Sequence, residues 1–317
     1  MTSQNVNSDT ALLYGNGFAL KVYLPTLVNL GIKKVLIEKS QNLNVDQTNI
    51  LNKYNEYILY FDKKDFQEKM FDYTILAVSP TKQYNLLLDN KFYKNTNTLI
   101  LEKPMASSPN KAFEIIQKLE DLNIRYLINY SFRYASWYKN ISTKIKLLPK
   151  DVELYFTWKF MARHFIHKRN TWKRFHLKGG GAIRFYGIHL IAILSDIGYL
   201  KVLSSNSSND MNSDLSSFSC SLESTKTLPK CKIYINSKSK INEFSCYYIK
   251  DNKKISLLKL KEPFPKEIGV SFQDPRIEIT KRFIYEKNFK YNNFNVINLW
   301  KAIEDKIVFN YSQKYIN

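Results

Sequence analysis

Two glycines and an acid near the start of the chain have the spacing of a dinucleotide-binding turn. Gly15 and Gly17 follow an apolar run, and Glu38 ends the next apolar run, 23 residues after Gly15. Glycines let a pyrophosphate approach a helix N-terminus closely, and an acid at the second strand can accept hydrogen bonds from ribose hydroxyls. The third glycine position holds Leu20, so the match is incomplete. For the glycine pair alone, an ordinary strand-to-helix turn is the alternative.

A second glycine motif lies in the middle of the chain. Of nine glycines in 317 residues, three are consecutive at 179–181 and a fourth is Gly187, two residues before His189. A chain this poor in glycine uses it where the backbone has positive φ or lies close to another group. The two glycine motifs are therefore the first places to look for function.

The elements around the first motif alternate between strand and helix. This order predicts a parallel, doubly wound α/β sheet, whose ligand sites lie at the carboxyl ends of the strands. Gly15, Glu38, Ser79, Lys103 and Asn129 all lie at the carboxyl ends of predicted strands. The predicted strands are 11–14, 35–37, 57–61, 74–78, 98–101 and 126–129, and the predicted helices are 18–30, 83–88 and 109–122.

Taken in order, these motifs resemble the glucose-fructose oxidoreductase / inositol dehydrogenase / MocA (Gfo/Idh/MocA) group of nicotinamide-dependent oxidoreductases. The resemblance implies a Rossmann domain, residues 1–125, followed by an α+β domain, residues 126–317. The second domain would have an open, mainly antiparallel sheet that often forms the oligomer interface, so we expect a homo-oligomer. The motifs are the Gly-x-Gly turn, the acid after strand two, Ala-Val-Ser-Pro at 77–80, Glu-Lys-Pro at 102–104, Asn-Tyr-Ser-Phe-Arg-Tyr at 129–134 and the triple glycine.

The same resemblance implies catalytic roles. Lys103 would be the catalytic lysine, which polarises or protonates the substrate oxygen that gains or loses hydride; the alternative is a solvated surface lysine. His189 retains the family's histidine, which would orient or protonate the sugar oxygen. The family's aspartate position, however, is Phe185. Tyr186 could supply a phenolic proton donor instead, although most of the tyrosines must serve packing.

Binding residues are implied by the resemblance as well. Glu38 should repel a 2′-phosphate and so favour NAD, while the neighbouring Lys39 could soften that choice and leave NADP possible. The implied cofactor-binding residues are Gly15, Gly17, Phe18, Glu38, Lys39, Ser79, Pro80, Tyr84, Glu102 and Lys103. The expected substrate-binding residues are Arg133, Arg169, Lys173, Arg174 and Phe185.

The basic segment before the triple glycine has two interpretations. It contains Arg169, Lys173 and Arg174, and guanidinium groups match the geometry of a substrate phosphate well. A solvated charged loop is an equally good alternative. His164, His167 and His176 lie in the same region without carboxylates or cysteines at ligand spacing, so we expect surface or substrate-contact histidines and no metal.

Composition restricts the remaining possibilities. With 44% apolar residues, the chain can form two sizeable cores. The net charge of +20 comes from lysines spread along the sequence, so we expect no nucleic-acid partner. No apolar run reaches the ~18 residues of a membrane span, and the polar first ten residues do not resemble a signal peptide. Three cysteines without a metal spacing agree with reduced thiols and a cytoplasmic location.

The expected function is that of a nicotinamide-dependent oxidoreductase acting on a carbohydrate, with a nucleotide-linked sugar of polysaccharide or glycoconjugate biosynthesis as substrate. Leu20 and Phe185 leave an alternative open, a catalytically retired Rossmann-fold protein that acts through binding or assembly. Beyond residue 200 we predict a loop at 204–217, strands near 218–222, 232–235, 243–249 and 255–260, and a closing helix at 294–309.

Overall fold

The computed structural model describes residues 9–39, 42–61, 70–89, 93–207, 214–224, 227–265, 274–286 and 291–309. The chain forms two compact units. The predicted domain boundary at residue 125 stays a prediction. Each compact unit is built from three separate segments of the chain. The first unit comprises Met1–Met105, Gln117–Asn129 and Ile268–Phe289, and the second comprises Ala106–Ile116, Tyr130–Glu267 and Lys290–Asn317.

The first unit contains a six-stranded sheet in the order β3-β2-β1-β4-β5-β6. Every neighbouring pair is parallel. This is the order of a doubly wound dinucleotide-binding sheet, and it confirms the predicted α/β class of the first half of the chain. The strands are β1 (Thr10–Tyr14), β2 (Lys34–Glu38), β3 (Ile58–Phe61), β4 (Phe71–Leu76), β5 (Thr96–Leu101) and β6 (Tyr126–Ile128).

Helix starts in the first unit follow local sequence signals. Asn44 and Gln47 form a capping box at the start of α2, and Ser79 caps α3 with Pro80 as its first residue. The helix predicted at 18–30 begins with a π-helical stretch, Ala19–Tyr23, before α1. The α-helices of the described residues are α1 (Leu24–Asn29), α2 (Val45–Lys53), α3 (Pro80–Leu88), α4 (Pro109–Asp121), α5 (Tyr138–Lys146), α6 (Arg163–Ile166), α7 (Ile188–Ile197), α8 (Arg276–Glu286) and α9 (Asn293–Asp305).

The second unit contains a seven-stranded sheet in the order β12-β11-β7-β10-β9-β8-β13. Four of its pairings are antiparallel, and the pairs β7–β10 and β8–β13 are parallel. The predicted mainly antiparallel sheet is confirmed. Its strands are β7 (Glu153–Met161), β8 (Tyr199–Ser207), β9 (Ser217–Ser224), β10 (Lys230–Asn236), β11 (Lys238–Lys250), β12 (Lys253–Leu260) and β13 (Ile307–Phe309).

The two faces of the second sheet differ in polarity. On β7, buried Leu154 and Phe156 alternate with partly exposed Glu153 and Tyr155. Alternation with a period of two is expected when one face of a sheet packs on a core and the other meets solvent. Helices α7 and α9 contact β8 within the same unit. We call the polar side, which carries Tyr155, the outer face.

Two predictions for the second half of the chain were wrong. The loop predicted at 204–217 starts later, because β8 continues to Ser207 and pairs with β9; residues 208–213 lie outside the described residues. Cross-strand pairing outweighs the loop preference of serine and asparagine. The closing helix ends at Asp305, and Ile307–Phe309 forms β13 beside β8. Within the part of the chain that the structure describes, no helix is both long and apolar enough to span a bilayer.

Candidate functional site

The two glycines of the first motif differ in why the position holds glycine. Gly15 has φ +128°, and a Cβ added there would lie 2.3 Å from the carbonyl oxygen of Ala77. Only glycine fits such a position. A Cβ added at exposed Gly17, by contrast, would have no atom within 4 Å. The described part of the chain therefore gives no steric reason for glycine at 17, and the space beside it is open for a ligand to approach the backbone.

Leu20, at the third position of the fingerprint, is part of the core. Its side chain is 1% exposed and lies in the π-helical stretch that follows the glycine turn. The first unit therefore accommodates the leucine by packing it. Beside it, the Phe18 and Tyr23 rings make an edge-to-face contact at 5.5 Å.

The second βα segment supports the glycine turn. The side-chain amide of Gln47 donates a 2.7 Å hydrogen bond to the carbonyl oxygen of Asn16, between the two glycines. Gln47 also belongs to the capping box of α2, so this one side chain both caps the helix and holds the glycine turn. Glycine turn and α2 are thus held together at the carboxyl end of β1.

Glu38 lies at the end of β2, as predicted, and is half-buried. Its carboxylate accepts a hydrogen bond from the Tyr14 hydroxyl, and burial together with this carboxylate raises the pKa of Tyr14 to about 12. Lys82 Nζ lies 4.7 Å from the centroid of the Tyr14 ring. Lys39, the next residue after Glu38, is exposed.

Glu102, at the end of β5, is the centre of a polar cluster with Tyr23 and Asn129. The Tyr23 hydroxyl donates to Glu102 Oε1 at 2.7 Å, and Asn129 Nδ2 donates to the same oxygen at 2.9 Å. Asn129 Nδ2 also lies 2.9 Å from the Tyr23 hydroxyl oxygen. Burial raises the pKa of Glu102, while the neighbouring Lys103 charge opposes that rise.

Lys103 follows Glu102 and is partly buried, with a cis peptide bond to Pro104. Its backbone segment is held by Gln83 of α3, whose side chain bonds to the backbone of Glu102 and Met105. The lysine therefore stands at the same edge of the sheet as the glycine turn and Glu38. Parallel strands end at one edge, so the topology brings the predicted cofactor-binding residues together.

The remaining predicted cofactor contacts lie at the start of α3. Ser79 Oγ accepts a 3.4 Å hydrogen bond from the Lys82 amide, Pro80 is buried, and Tyr84 is half-buried. These three residues follow β4, which lies between β1 and β5 in the sheet. Their direct role toward a cofactor stays a prediction.

Arg276 is a residue at this edge that the sequence did not indicate. Its guanidinium carbon lies 5.1 Å from the Phe18 ring centroid, and its Nε and Nη2 donate to Asp274 at 2.8 and 2.6 Å. Arg276 begins α8, more than 250 residues after the glycine turn, within the same unit. No local pattern connects two segments so far apart in sequence.

In the second unit, the triple glycine is required by close backbone packing. A Cβ on Gly180 would lie 2.2 Å from the Trp172 carbonyl oxygen, and Gly181 has φ +75°. A Cβ on Gly187 would lie 2.8 Å from the Phe218 ring. This motif therefore shapes the start of α7, which carries His189.

His189 lies in the first turn of α7 and is 3% exposed. Its imidazole stacks on Phe132 with ring centroids 4.7 Å apart and an interplanar angle of 18°, and the Phe264 ring lies edge-on at 6.2 Å. Aromatic rings therefore orient the imidazole. The aspartate of the family pattern would lie four residues earlier, at the position that Phe185 occupies here. Its predicted catalytic role stays a prediction.

Phe185 and Tyr186 are half-buried members of an aromatic cluster. Phe185 meets the Trp172 ring edge-on at 5.3 Å, and Lys173 Nζ lies 5.3 Å from the Phe185 centroid. Tyr186 packs against Phe160 at 4.7 Å. Burial raises the pKa of the Tyr186 hydroxyl. It remains a candidate proton donor by prediction only.

The predicted substrate arginines differ in their surroundings. Buried Arg133 binds Asp196 with Nε and Nη2 at 2.8 and 2.9 Å. Arg174 pairs with Asp214, whereas Arg169 is exposed. Their proposed contacts with a substrate are untested, and Arg133 and Arg174 already have acidic partners within their own unit.

A buried ionic network in the second unit was not predicted. Arg184 donates from Nε and Nη2 to the two carboxylate oxygens of Glu304, each at 2.7 Å, and Trp300 Nε1 donates to the same carboxylate at 2.7 Å. Arg184 Nη1 also donates to the carbonyl oxygens of Ser107 and His176. The partners are distant in sequence, so no spacing rule could have found them.

One expectation for the histidines of the basic segment was that they lie at the surface. Two of the three are buried instead. His164 and His176 are 6% and 0% exposed, and burial lowers the pKa of each to about 4. His167 is exposed. Among the described residues, no three His, Cys, Asp or Glu side chains are grouped so that they could hold a metal ion.

No protein-family model matches this sequence, and no curated protein sequence matches it. Solved structures share its fold. The WlbA (WbpB) dehydrogenase from Thermus thermophilus, in complex with NAD and UDP-GlcNAcA, is 13% identical, with a TM-score of 0.68 over 96% of this chain and 97% of that chain. An oxidoreductase from Agrobacterium radiobacter, in complex with NAD⁺, L-tartaric acid and magnesium, is 14% identical, with a TM-score of 0.70 over 93% and 94% of the two chains.

A levoglucosan dehydrogenase, in complex with NADH and L-sorbose, is 11% identical to this chain. Its TM-score is 0.68 over 94% of this chain and 96% of that chain. At identities of 11–14%, the structural similarity to these proteins shows the fold alone. The combination of a parallel Rossmann-type sheet with a second, mixed sheet is therefore shared with these dehydrogenases along nearly the whole length.

Proposed function

We propose that this chain is a nicotinamide-dependent oxidoreductase of the Gfo/Idh/MocA group that acts on a carbohydrate, with NAD as its cofactor. The observation that carries the proposal is the open backbone at Gly17, at the carboxyl edge of a 3-2-1-4-5-6 parallel sheet. Structural neighbours with NAD or NADH bound support the choice of cofactor.

The residues of the first unit fit such a cofactor. Gly15 would allow the close approach of the turn to Ala77, Gly17 would leave room for the pyrophosphate, and Glu38 would accept hydrogen bonds from the adenosine ribose. The nicotinamide, when bound, supplies or accepts the hydride. Lys103 would hold and deliver a proton at Nζ to the substrate oxygen. Glu102 would flank that lysine within the polar cluster formed with Tyr23 and Asn129.

For the substrate, we propose a nucleotide-linked sugar. Two structural neighbours were solved with UDP-GlcNAcA, which supports this class. His189 would orient or protonate the sugar oxygen, and exposed Arg169 and Lys173 would be available for a diphosphate. Three buried free cysteines agree with the proposed cytoplasmic compartment.

We also propose that copies of the chain associate through the outer face of the second sheet. There Tyr155 and Tyr247 stack with centroids 5.0 Å apart, and Lys254 Nζ lies 3.8 Å from the Tyr247 centroid. Light scattering of the purified protein should give a multiple of the 37.4 kDa chain mass. A Tyr247→Glu variant should shift it toward the monomer, and a monomeric wild-type protein would contradict the proposal.

The proposed function is tested by cofactor titration. In isothermal titration calorimetry, we expect NADH to bind saturably and more tightly than NADPH, because Glu38 repels a 2′-phosphate. Lys103→Met should retain NADH affinity and lose turnover of UDP-linked sugars. Tighter NADPH binding would overturn the cofactor preference, and the absence of binding by either cofactor would favour the retired-enzyme alternative.

A further inference from the structure

The side chain of Gln83 lies in the core of the first unit, on the inner side of α3, and is 0% exposed. A glutamine is seldom fully buried unless its amide is hydrogen-bonded. Its three bonds all go to backbone atoms on the two sides of Lys103, namely Glu102 before it and Met105 after it.

The geometry of these bonds assigns the amide orientation. Gln83 Oε1 accepts from the Glu102 backbone N–H at 3.0 Å. Gln83 Nε2 donates to the carbonyl oxygens of Glu102 at 2.8 Å and Met105 at 2.9 Å. A flipped amide would set an oxygen against two carbonyls, so only this orientation satisfies all three groups. Both N–H donors of the amide are used.

We propose that Gln83 is a positioning residue that sets where the Lys103 ammonium stands. This inference rests on the proposed function, in which Lys103 acts on the substrate oxygen. The lysine backbone cannot shift relative to α3 without breaking a bond to Glu102 or Met105. The cluster of Tyr23 and Asn129 acts on the Glu102 side chain instead. The Glu102 N–H has a second acceptor in the Leu76 carbonyl oxygen at 3.3 Å, whereas Gln83 Nε2 holds the carbonyl groups on both sides of Lys103.

Gln83→Leu tests the proposal because leucine is similar in size to glutamine but cannot form the three hydrogen bonds of the amide. The matched control is Leu87→Ala on the same helix, which leaves a cavity at a position that is also 0% exposed and keeps the Gln83 amide. The readout is the rate at which an amine-acylating reagent labels Lys103 between pH 7 and 10, measured by mass spectrometry. Labelling of exposed Lys82 normalises the rate.

Without cofactor, we expect Gln83→Leu to change the Lys103 to Lys82 labelling ratio by threefold or more, and Leu87→Ala to leave it within about twofold. For turnover, Gln83→Leu should lower kcat at least tenfold while the NADH dissociation constant stays within about threefold. An unchanged ratio in folded Gln83→Leu, or an equal change in Leu87→Ala, would overturn the proposal.

A second variant and a binding measurement on the wild type complete the experiment. Should Gln83→Leu fail to fold by circular dichroism, Gln83→Asn takes its place, because its amide is shorter by one methylene and cannot span Glu102 and Met105. Wild-type protein that binds no NADH would contradict the proposed function. The labelling ratio is measured without cofactor, so it decides the position of Lys103 in either case.

Discussion

The Tyr23 hydroxyl donates a 2.7 Å hydrogen bond to Glu102 Oε1 across 79 residues of sequence. Tyr23 ends the π-helical stretch after the glycine turn, and Glu102 immediately precedes Lys103. The bond therefore joins the proposed pyrophosphate-binding segment to the proposed catalytic lysine within the first unit. Asn129 Nδ2 bonds to both partners and completes this link between the two segments.

Tyr23→Phe should lower the free energy of unfolding by about 1–3 kcal/mol, because it removes a donor to a part-buried carboxylate. Asn129 Nδ2 would remain as the other donor to Glu102 Oε1. Urea denaturation followed by circular dichroism measures the change. The control Tyr60→Phe, at a side chain that is 57% exposed, should change stability by less than about 0.5 kcal/mol. Equal effects of the two variants would contradict this role of Tyr23.

Gly17→Ala separates structural from ligand-related glycines. No atom lies within 4 Å of the added Cβ, so the melting temperature should stay near that of the wild type. The methyl group would instead occupy the proposed pyrophosphate space, and NADH affinity should fall about tenfold or more, or ~1.4 kcal/mol. Gly15→Ala is the opposite case, since its Cβ would clash with the Ala77 carbonyl and lower stability. Unchanged NADH binding in Gly17→Ala would remove the pyrophosphate from this turn.

The first sheet was predictable because its signals are local. Each strand is a short apolar run followed by a turn or cap, as at Gly15 and Ser79, and the alternation with helices dictates parallel pairing. Glu38 could be placed at an edge of the sheet for the same reason. The likeness in fold to known dehydrogenases agrees with that prediction.

The buried polar contacts were not predictable in the same way. Arg184 and Glu304 are 120 residues apart, and Arg133 and Asp196 are 63 apart. Charged residues in a sequence with many lysines are usually solvent-exposed, so nothing local marks these as buried pairs. Strand β13 was missed because its three residues follow an amphipathic helix without a turn signal.

Arg184→Met should destabilise the second unit by about 3–5 kcal/mol, since Glu304 would keep a buried charge without its bidentate partner. Thermal unfolding monitored by calorimetry measures the loss. The double variant Arg184→Met with Glu304→Leu removes both charges and should recover a large part of that stability. A double variant as unstable as the single one would show that the carbonyl groups of Ser107 and His176, left without Arg184, carry the effect.

Acid should destabilise the protein through His164 and His176, whose pKa values are lowered to about 4 by burial. Both are neutral in the folded protein at pH 6.5, whereas the unfolded chain takes up protons there. Their contribution to stability is therefore complete above pH 6.5 and is lost progressively as the pH falls to about 4. Each pKa unit corresponds to about 1.4 kcal/mol, so His176 alone contributes ~3 kcal/mol.

Urea midpoints at pH 7, 6, 5 and 4.5 measure this loss, and His176→Leu should show a shallower decline than the wild type. The pKa values of Glu102 and Asp196 are raised by burial, so these carboxyls act in the opposite direction as the pH falls toward their ordinary values, and the variant is therefore compared with wild type at each pH. Exposed His167 provides the control, because His167→Gln should follow the wild-type curve. Parallel curves for His176→Leu and wild type would mean that the buried imidazole takes up its proton as readily in the folded protein as in the unfolded chain.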